Sequence, residues 1–325
     1  MKAIAQAQYG SPDVLQLTEV ERPVVGDHDV LVRVHASAVH AGDWHLMRGE
    51  PWLVRLMFGG ILKPKIKILG CDVAGRVEAM GKAVTQFSLG DEVLGELSGC
   101  GFGTFAEYVC ASEAALVLKP AALSFEQAAT VPTSALAAFQ ALRDLGQIQP
   151  GQRVLINGAA SGVGSFAVQM AKAWGAEVTG VCGPQKIETV RSLGADYLID
   201  YTQTDFTQNR HRYDLILDVA AYRSVLVCQR ALTPVGTYVL VGGSISRLFQ
   251  TMLLLGPWIS NTSRRKVCVL SSQPNQADLL AICELLESGQ VVPLIDRCYS
   301  LAEVPEAIRY LEARQARGKV AIKVV

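Results

Sequence analysis

Residues 153–175, RVLINGAASGVGSFAVQMAKAWG, decide how the rest of the chain is read. Val154, Leu155 and Ile156 run into Asn157 as a short apolar stretch of the kind buried inside a parallel sheet. A turn of small residues follows from Gly158 to Gly164, and then Phe166, Val168, Met170, Ala171 and Trp174 recur with a helical period. Strand, glycine turn and helix in that order aim backbone N–H groups at a pyrophosphate and let the main chain approach it closely. The G-x-G-x-x-G spacing is broken, because in the register ending at Gly164 the first two glycine positions hold Ala159 and Ser161. The alternative reading is a tight connection without a ligand. What favours the nucleotide is the continuation: a second strand at Glu177–Cys182, another helix, and a third strand at Tyr197–Ile199. That is βαβαβ, one mononucleotide-binding half.

The bulk numbers bound the class. A length of 325 residues suggests two domains. Thirty basic and 30 acidic residues cancel, with no basic stripe, so no nucleic-acid ligand is expected. Eight cysteines without a C-x-x-C pair read as reduced thiols of a cytoplasmic protein. The opening MKAIAQAQYG lacks the apolar core of a secretion signal. Leu248–Ile259 is too short to cross a bilayer, so no membrane partner is expected.

Around the nucleotide half, the chain reads as follows. Met1–Gln8, Leu15–Glu19 and Asp29–Ala38 are strands, the last alternating apolar and polar with period two. Ala41–Gly49 is a loop. Trp52–Lys67 is apolar and basic together, either a surface helix or a lid over an apolar substrate. Glycine-punctuated strands run from Leu69 to Gly95, and Ala106–Val109 and Ala115–Leu118 complete a β-rich unit. Ser124 caps a short helix, and Thr133–Leu145 is a second one. Tyr213–Val219, Thr237–Val241 and Val267–Leu270 supply three further strands of the parallel sheet, and Gln276–Glu287 is a helix. A strand at Val291–Leu294, a helix at Val304–Arg314 and a strand at Lys319–Val325 return to the first domain. The expected domains are 1–123 with 289–325, and 124–288.

HASAVHAGDWHLMRG at 35–49, LGCDVAGRVEAMGKAVTQFSLGDEV at 69–93, NGAASGVGSFAVQMAK at 157–172, RSLGADYLIDY at 191–201 and PEAIRYLEARQARGKVAI at 305–322 carry a resemblance. In that order they resemble the medium-chain dehydrogenase/reductase superfamily, in its zinc-lacking quinone oxidoreductase branch. The resemblance implies an α/β fold: a Rossmann doubly wound parallel sheet beside a β-rich GroES-like catalytic domain. It implies a nicotinamide cofactor and a small apolar carbonyl or quinone substrate. Homodimerisation at the open edge of the sixth strand is also expected.

Cofactor choice is read at the end of the second strand. NAD-preferring folds place an acid there, whereas this chain has Cys182-Gly183-Pro184-Gln185-Lys186. The missing acid leaves room for a phosphate, with Lys186 as counter-charge, so NADPH is expected; a solvated helix-start lysine is the plainer alternative. Gly158, Ala159, Ser161, Gly162, Val163 and Gly164 form the expected pyrophosphate turn. Tyr201 matches a position near the adenine ribose. Thr133, Val219, Val241, Gly242, Gly243 and Lys319 are expected at the nicotinamide end. At the positions where zinc-dependent relatives ligate catalytic metal, the chain holds His40, Cys71 and Thr133, and no metal is expected. Without metal, a donor must stabilise the oxyanion that grows as hydride arrives. His40 is the candidate donor and also the candidate source of the final proton, with Asp43 orienting the loop or His40, and a purely structural histidine is the alternative. Two other readings stand beside this one: a zinc-type alcohol dehydrogenase, and a non-catalytic NADPH-binding structural or RNA-binding protein.

Overall fold

The computed structural model describes residues 1–58, 60–243 and 245–325; residue 59, within the 52–67 stretch, and residue 244 lie outside the described residues. The chain divides into two units. The first comprises Met1–Thr133, Pro274–Glu287 and Pro293–Val325, and the second Ser134–Gln273 with Ser288–Val292.

The second unit is built on a six-stranded sheet in which every pairing is parallel. Its order in space is Tyr197–Asp200, Glu177–Cys182, Arg153–Asn157, Tyr213–Asp218, Leu232–Leu240 and Lys266–Val269. Winding outward in both directions from Arg153–Asn157 gives a doubly wound sheet, with its switch point between that strand and Tyr213–Asp218. Burial explains the choice of strand: Val154, Leu155, Ile156, Leu215, Ile216 and Leu217 are all at 0% exposure. Residues covered on both faces need no polar alternation, so these strands read as unbroken apolar runs.

In the first unit a seven-stranded sheet runs Ile295–Ser300, Lys319–Lys323, Asp29–Val39, Asp72–Met80, Glu92–Glu96 and Leu116–Leu118, with Tyr108–Ser112 paired to the start of Asp29–Val39. Only the pair Ile295–Ser300 with Lys319–Lys323 is parallel. Lys2–Ala5 and Gln16–Glu19 form a separate hairpin-like pair. Val30, Val32, Val34, Val73, Val93, Val109 and Leu116 meet in its core.

Three expectations are corrected. Ala41–Gly49 is not a loop: Ala41–Arg48 is an α-helix, closed by Gly49 in the left-handed conformation at φ 60°. Its N-cap is His40, whose Nδ1 accepts from the Gly42 N–H at 3.1 Å, while Asp43 Oδ2 accepts from the His40 N–H at 2.9 Å. The expected strand Val291–Leu294 lies instead at Ile295–Ser300. Val292 is drawn away because its N–H and C=O bond the side-chain amide of Gln169, at 2.8 and 3.0 Å. The division between units also falls elsewhere, with residues 124–133 and 274–287 in the first unit. Phe125–Ala129 packs on Asp29–Val39 and Asp72–Met80, and Gln276 Nε2 donates to the Leu116 carbonyl at 2.8 Å.

Candidate functional site

In the first unit, His40, Asp43, Thr133 and Lys319 come together, and they do so around Cys71 and Asp72. The His40 ring itself caps a helix through Nδ1, which fixes its orientation. With Nδ1 accepting from Gly42, a neutral His40 carries its proton on Nε2. Nε2 lies 2.8 Å from Cys71 Sγ and 3.6 Å from Asp43 Oδ2. Cys71 Sγ lies 3.3 Å from Thr133 Oγ1, and Thr133 donates from both its hydroxyl and its N–H to Asp72 Oδ1, at 2.5 and 2.9 Å. Lys319 Nζ stands 3.4 Å from the other oxygen of Asp72. These bonds form a directed chain from imidazole N–H through thiol and hydroxyl to a carboxylate with its own cation.

Burial sets the electrostatics. Asp43 and Asp72 are at 0% exposure, whereas the His40 side chain retains 17%. Burial raises the Asp43 carboxyl, opposed by His40 and its backbone N–H. The Cys71 thiol is pushed well up, first by burial and then by the carboxylates of Asp72, Glu96 and Asp43. It therefore stays a thiol, with Sγ a weak acceptor for His40. Glu96, which sequence reasoning missed, is 4% exposed, accepts from the Ser98 N–H and hydroxyl, and is one of the charges that raise Cys71. A carboxylate in the glycine-rich run SLGDEVLGE was its available signal.

In the second unit the small-residue turn is a physical requirement. Gly158 has φ 86°, and a Cβ on Gly164 would stand 2.1 Å from the Gly158 carbonyl oxygen. Ser161 caps the helix Gly162–Ala173, its Oγ accepting from the Gly164 N–H at 3.0 Å. Gly158 and Ala159 donate to the Val181 carbonyl, tying turn to second strand. Ala159 is buried, and the turn passes through Gly162 and Val163 into the helix. Cys182 ends the second strand, its thiol raised to about 11 by burial. A Cβ on Gly183 would lie 3.4 Å from the Tyr201 hydroxyl, and Lys186 N bonds the Gly183 carbonyl at 2.9 Å. Two further strand ends press together: Val241 N bonds the Asp218 carbonyl at 2.9 Å, and a Cβ on Gly242 would meet the Val219 carbonyl oxygen at 2.6 Å. Gly243 takes φ 119° beside Ala221.

Beneath those ends lies a buried network that the sequence reading missed. Asp218 accepts from Asn157 Nδ2 at 2.8 Å, the Ala221 N–H at 2.6 Å and the Tyr238 hydroxyl at 2.6 Å. Burial raises the Asp218 carboxyl, and burial raises the Cys228 thiol beside it to about 12. An acid closing the apolar run YDLILDV was the signal.

Comparison with known proteins agrees on one family. Residues 26–121 match the alcohol dehydrogenase GroES-like domain, and 193–322 match a model described as zinc-binding dehydrogenase. The mitochondrial NAD(P)H oxidoreductase RTN4IP1 of Bos taurus is 33% identical over 98% of this chain and 88% of its own. The chloroplastic NADPH-dependent alkenal/one oxidoreductase of Arabidopsis thaliana is 31% identical over 99% of this chain and 79% of its own. The solved structure of the quinone oxidoreductase from Coxiella burnetii superposes with TM-score 0.89 and 28% identity, covering 100% of this chain and 99% of that one. The chain belongs to the medium-chain dehydrogenase/reductase superfamily, in the quinone oxidoreductase branch.

The zinc in that model's description is tested by the donors. A tetrahedral zinc with ordinary Zn–S and Zn–N bonds holds its sulfur and nitrogen about 3.5 Å apart. His40 and Cys71 stand at 2.8 Å, a hydrogen-bond distance, and the third position is a threonine hydroxyl already donating to Asp72. Among the described residues, no group of three His, Cys, Asp or Glu is arranged to hold a metal ion. The donor set does not fit a catalytic zinc.

Proposed function

We propose that the protein is an NADPH-dependent oxidoreductase that reduces a quinone or an α,β-unsaturated carbonyl without metal. The observation that carries the reading is the His40 Nε2–H held against a thiol sulfur beside the Thr133–Asp72–Lys319 chain. The activities of the relatives support the same class of reaction. NADPH, when bound, supplies the hydride. The turn from Gly158 to Gly164 is assigned to its pyrophosphate because it opens the N-terminus of the helix Gly162–Ala173, and Ser161 accepts from Gly164 and keeps its own hydroxyl proton for a phosphate oxygen. Cys182, Gly183, Lys186 and Tyr201 are assigned to the adenosine end, where the absence of an acid favours the extra phosphate. Val219, Val241, Gly242, Gly243, Thr133 and Lys319 are assigned to the nicotinamide end.

His40 acts as the donor to the carbonyl oxygen. A thiol sulfur is a weak acceptor, so an oxygen gaining negative charge draws the Nε2–H away from Cys71. For His40 to deliver a proton as well, Nδ1 must first take one and give up the Gly42 cap. The final proton is therefore assigned to solvent, and Asp43 to positioning the ring.

The test follows NADPH and NADH oxidation by purified protein with quinones and enones, with and without chelator. Chelator-insensitive consumption favouring NADPH is expected, and His40→Ala should lower kcat about 10²–10³-fold, the range for loss of one oxyanion donor. Loss of activity on chelation overturns the metal-free site. Tight NADPH binding without turnover across the panel supports the non-catalytic reading instead.

A cytoplasmic homodimer completes the proposal. No helix among the described residues is long and apolar enough to cross a membrane, and Lys266–Val269 ends the parallel sheet with an open edge. Ser260 Oγ accepts from the Val267 N–H at 3.1 Å, so pairing there must displace that bond. Sedimentation equilibrium of the wild type, expected at twice the chain mass, checks the dimer.

A further inference from the structure

Between Pro51 and Gly70 the chain holds Arg55, Lys63, Lys65 and Lys67 and no Asp or Glu, although basic and acidic residues balance over the whole protein. The same stretch exposes several large apolar side chains: Trp52 at 70%, Met57 at 67%, Ile61 at 65% and Leu62 at 90%, and more partly Leu56 and Phe58. Trp52 and Leu56 lie one turn apart on the helix Trp52–Met57 and so share a face. From 63 to 67 exposure alternates, with the three lysines exposed, Pro64 buried and Ile66 half-buried, so all three ammonium groups are open to solvent.

The stretch is held in place from beneath. Tyr9 OH donates to the Gly60 carbonyl at 2.6 Å, and Arg55 stacks on the Tyr9 ring at 4.5 Å while its Nε donates to the Gly49 carbonyl at 2.9 Å. Gln6 bonds the carbonyls of Lys67 and Ile66, at 2.8 and 3.1 Å. Arg55 is thus engaged inward. Among the described residues, no carboxylate forms a salt bridge with Lys63, Lys65 or Lys67.

We infer that residues 52–58 and 60–67 dock the protein on a bilayer surface containing anionic lipid. The apolar side chains enter the boundary between headgroups and acyl chains, where Trp is favoured, and the lysine row sits at the level of the phosphates. Charge decides the occupant. A second copy would bring the same acid-free cationic surface against itself, whereas an anionic lipid surface complements it. That no helix among the described residues is long and apolar enough to cross a membrane does not oppose this, because surface docking needs none. The inference is independent of the catalytic reading.

Cosedimentation of the full chain with vesicles tests it, comparing phosphatidylcholine alone with phosphatidylcholine mixed with phosphatidylglycerol. Binding is expected to the mixed vesicles only, and to weaken as salt rises. Each surface lysine contributes about fivefold to partitioning, so the triple variant Lys63→Gln, Lys65→Gln, Lys67→Gln should bind about a hundredfold more weakly. Trp52→Ser with Leu62→Ser should also reduce binding, and unchanged thermal melting of both variants checks that they fold. No binding to the mixed vesicles, or equal binding by the triple variant, overturns the inference. So does a vesicle-free change in oligomeric mass caused by the same substitutions, which assigns the patch to a second copy. A raised KM for apolar quinones without vesicle binding assigns it to a substrate lid.

Discussion

Asp72 in one unit and Asp218 in the other are equally buried, both at 0% exposure, yet they are stabilised by different chemistry. Asp72 opens a strand of the antiparallel part of its sheet and has a cation, Lys319, at 3.4 Å, together with two donors from Thr133. Asp218 closes a parallel strand and is met by neutral donors: an amide, a phenol and a backbone N–H. A buried carboxylate needs either opposite charge or enough hydrogen bonds, and this chain uses one solution in each unit. The charged solution sits beside His40, so the donor chain ends in an ion pair. The neutral one underlies strand ends assigned to the cofactor and leaves the carboxyl raised.

The comparison breaks most visibly at Lys319. Lys319→Met leaves Asp72 buried without its cation and should destabilise the protein by about 3–5 kcal/mol in urea unfolding. Adding Asp72→Asn should recover much of that loss, and a single-variant effect below about 1 kcal/mol would mean that the Thr133 donors suffice. A smaller effect is expected in the other unit. Tyr238→Phe removes one of the neutral donors to Asp218 and should destabilise by about 1–3 kcal/mol. Smallest is the drift with pH. Because the folded carboxyl of Asp218 is raised, the native state binds the more protons between the ordinary carboxylate value and the folded one. The stability from this group is full below the ordinary value, about 3.9, and is lost as pH rises through the folded value. Asp218→Asn has no such titration. Its stability relative to wild type should therefore improve from about pH 4 to pH 8, measured by urea unfolding at each pH. A constant difference would show that Asp218 titrates alike in both states.

What could be read from the sequence follows the range of the forces involved. The parallel strands were legible because burial on both faces writes unbroken apolar runs such as Val154–Ile156 and Leu215–Leu217. The turn at Gly158–Gly164 was legible from composition, since only small residues satisfy its close approach. The helix Ala41–Arg48 was hidden by its cap: His40 is not among the usual N-cap residues, and the Asp43 return bond resembles loop chemistry. The strand at Ile295–Ser300 was displaced by a side chain 123 positions away in sequence, Gln169. Pairs such as Asp72 with Lys319, or Asn157 with Asp218, are joined only by the completed sheets. His40, Cys71 and Thr133 share one alignment in the sequence, as positions that ligate zinc in relatives, but only the folded sheet shows the thiol joining imidazole to hydroxyl.

The strand Lys319–Lys323 lies between Asp29–Val39 and Ile295–Ser300, inside the sheet of the first unit. During translation, Asp29–Val39 leaves the ribosome long before that partner exists. At about 5–20 residues per second, the roughly 280 intervening residues represent a wait of about 15–60 s. The strands of the second unit are all made within that interval and can close their sheet first. Meanwhile the nascent first unit holds an unfilled strand edge of the kind that invites aggregation. Lys319 arrives with the missing strand, so the hydrogen-bonded chain from His40 to Asp72 gains its cation in the same late step that seals the sheet.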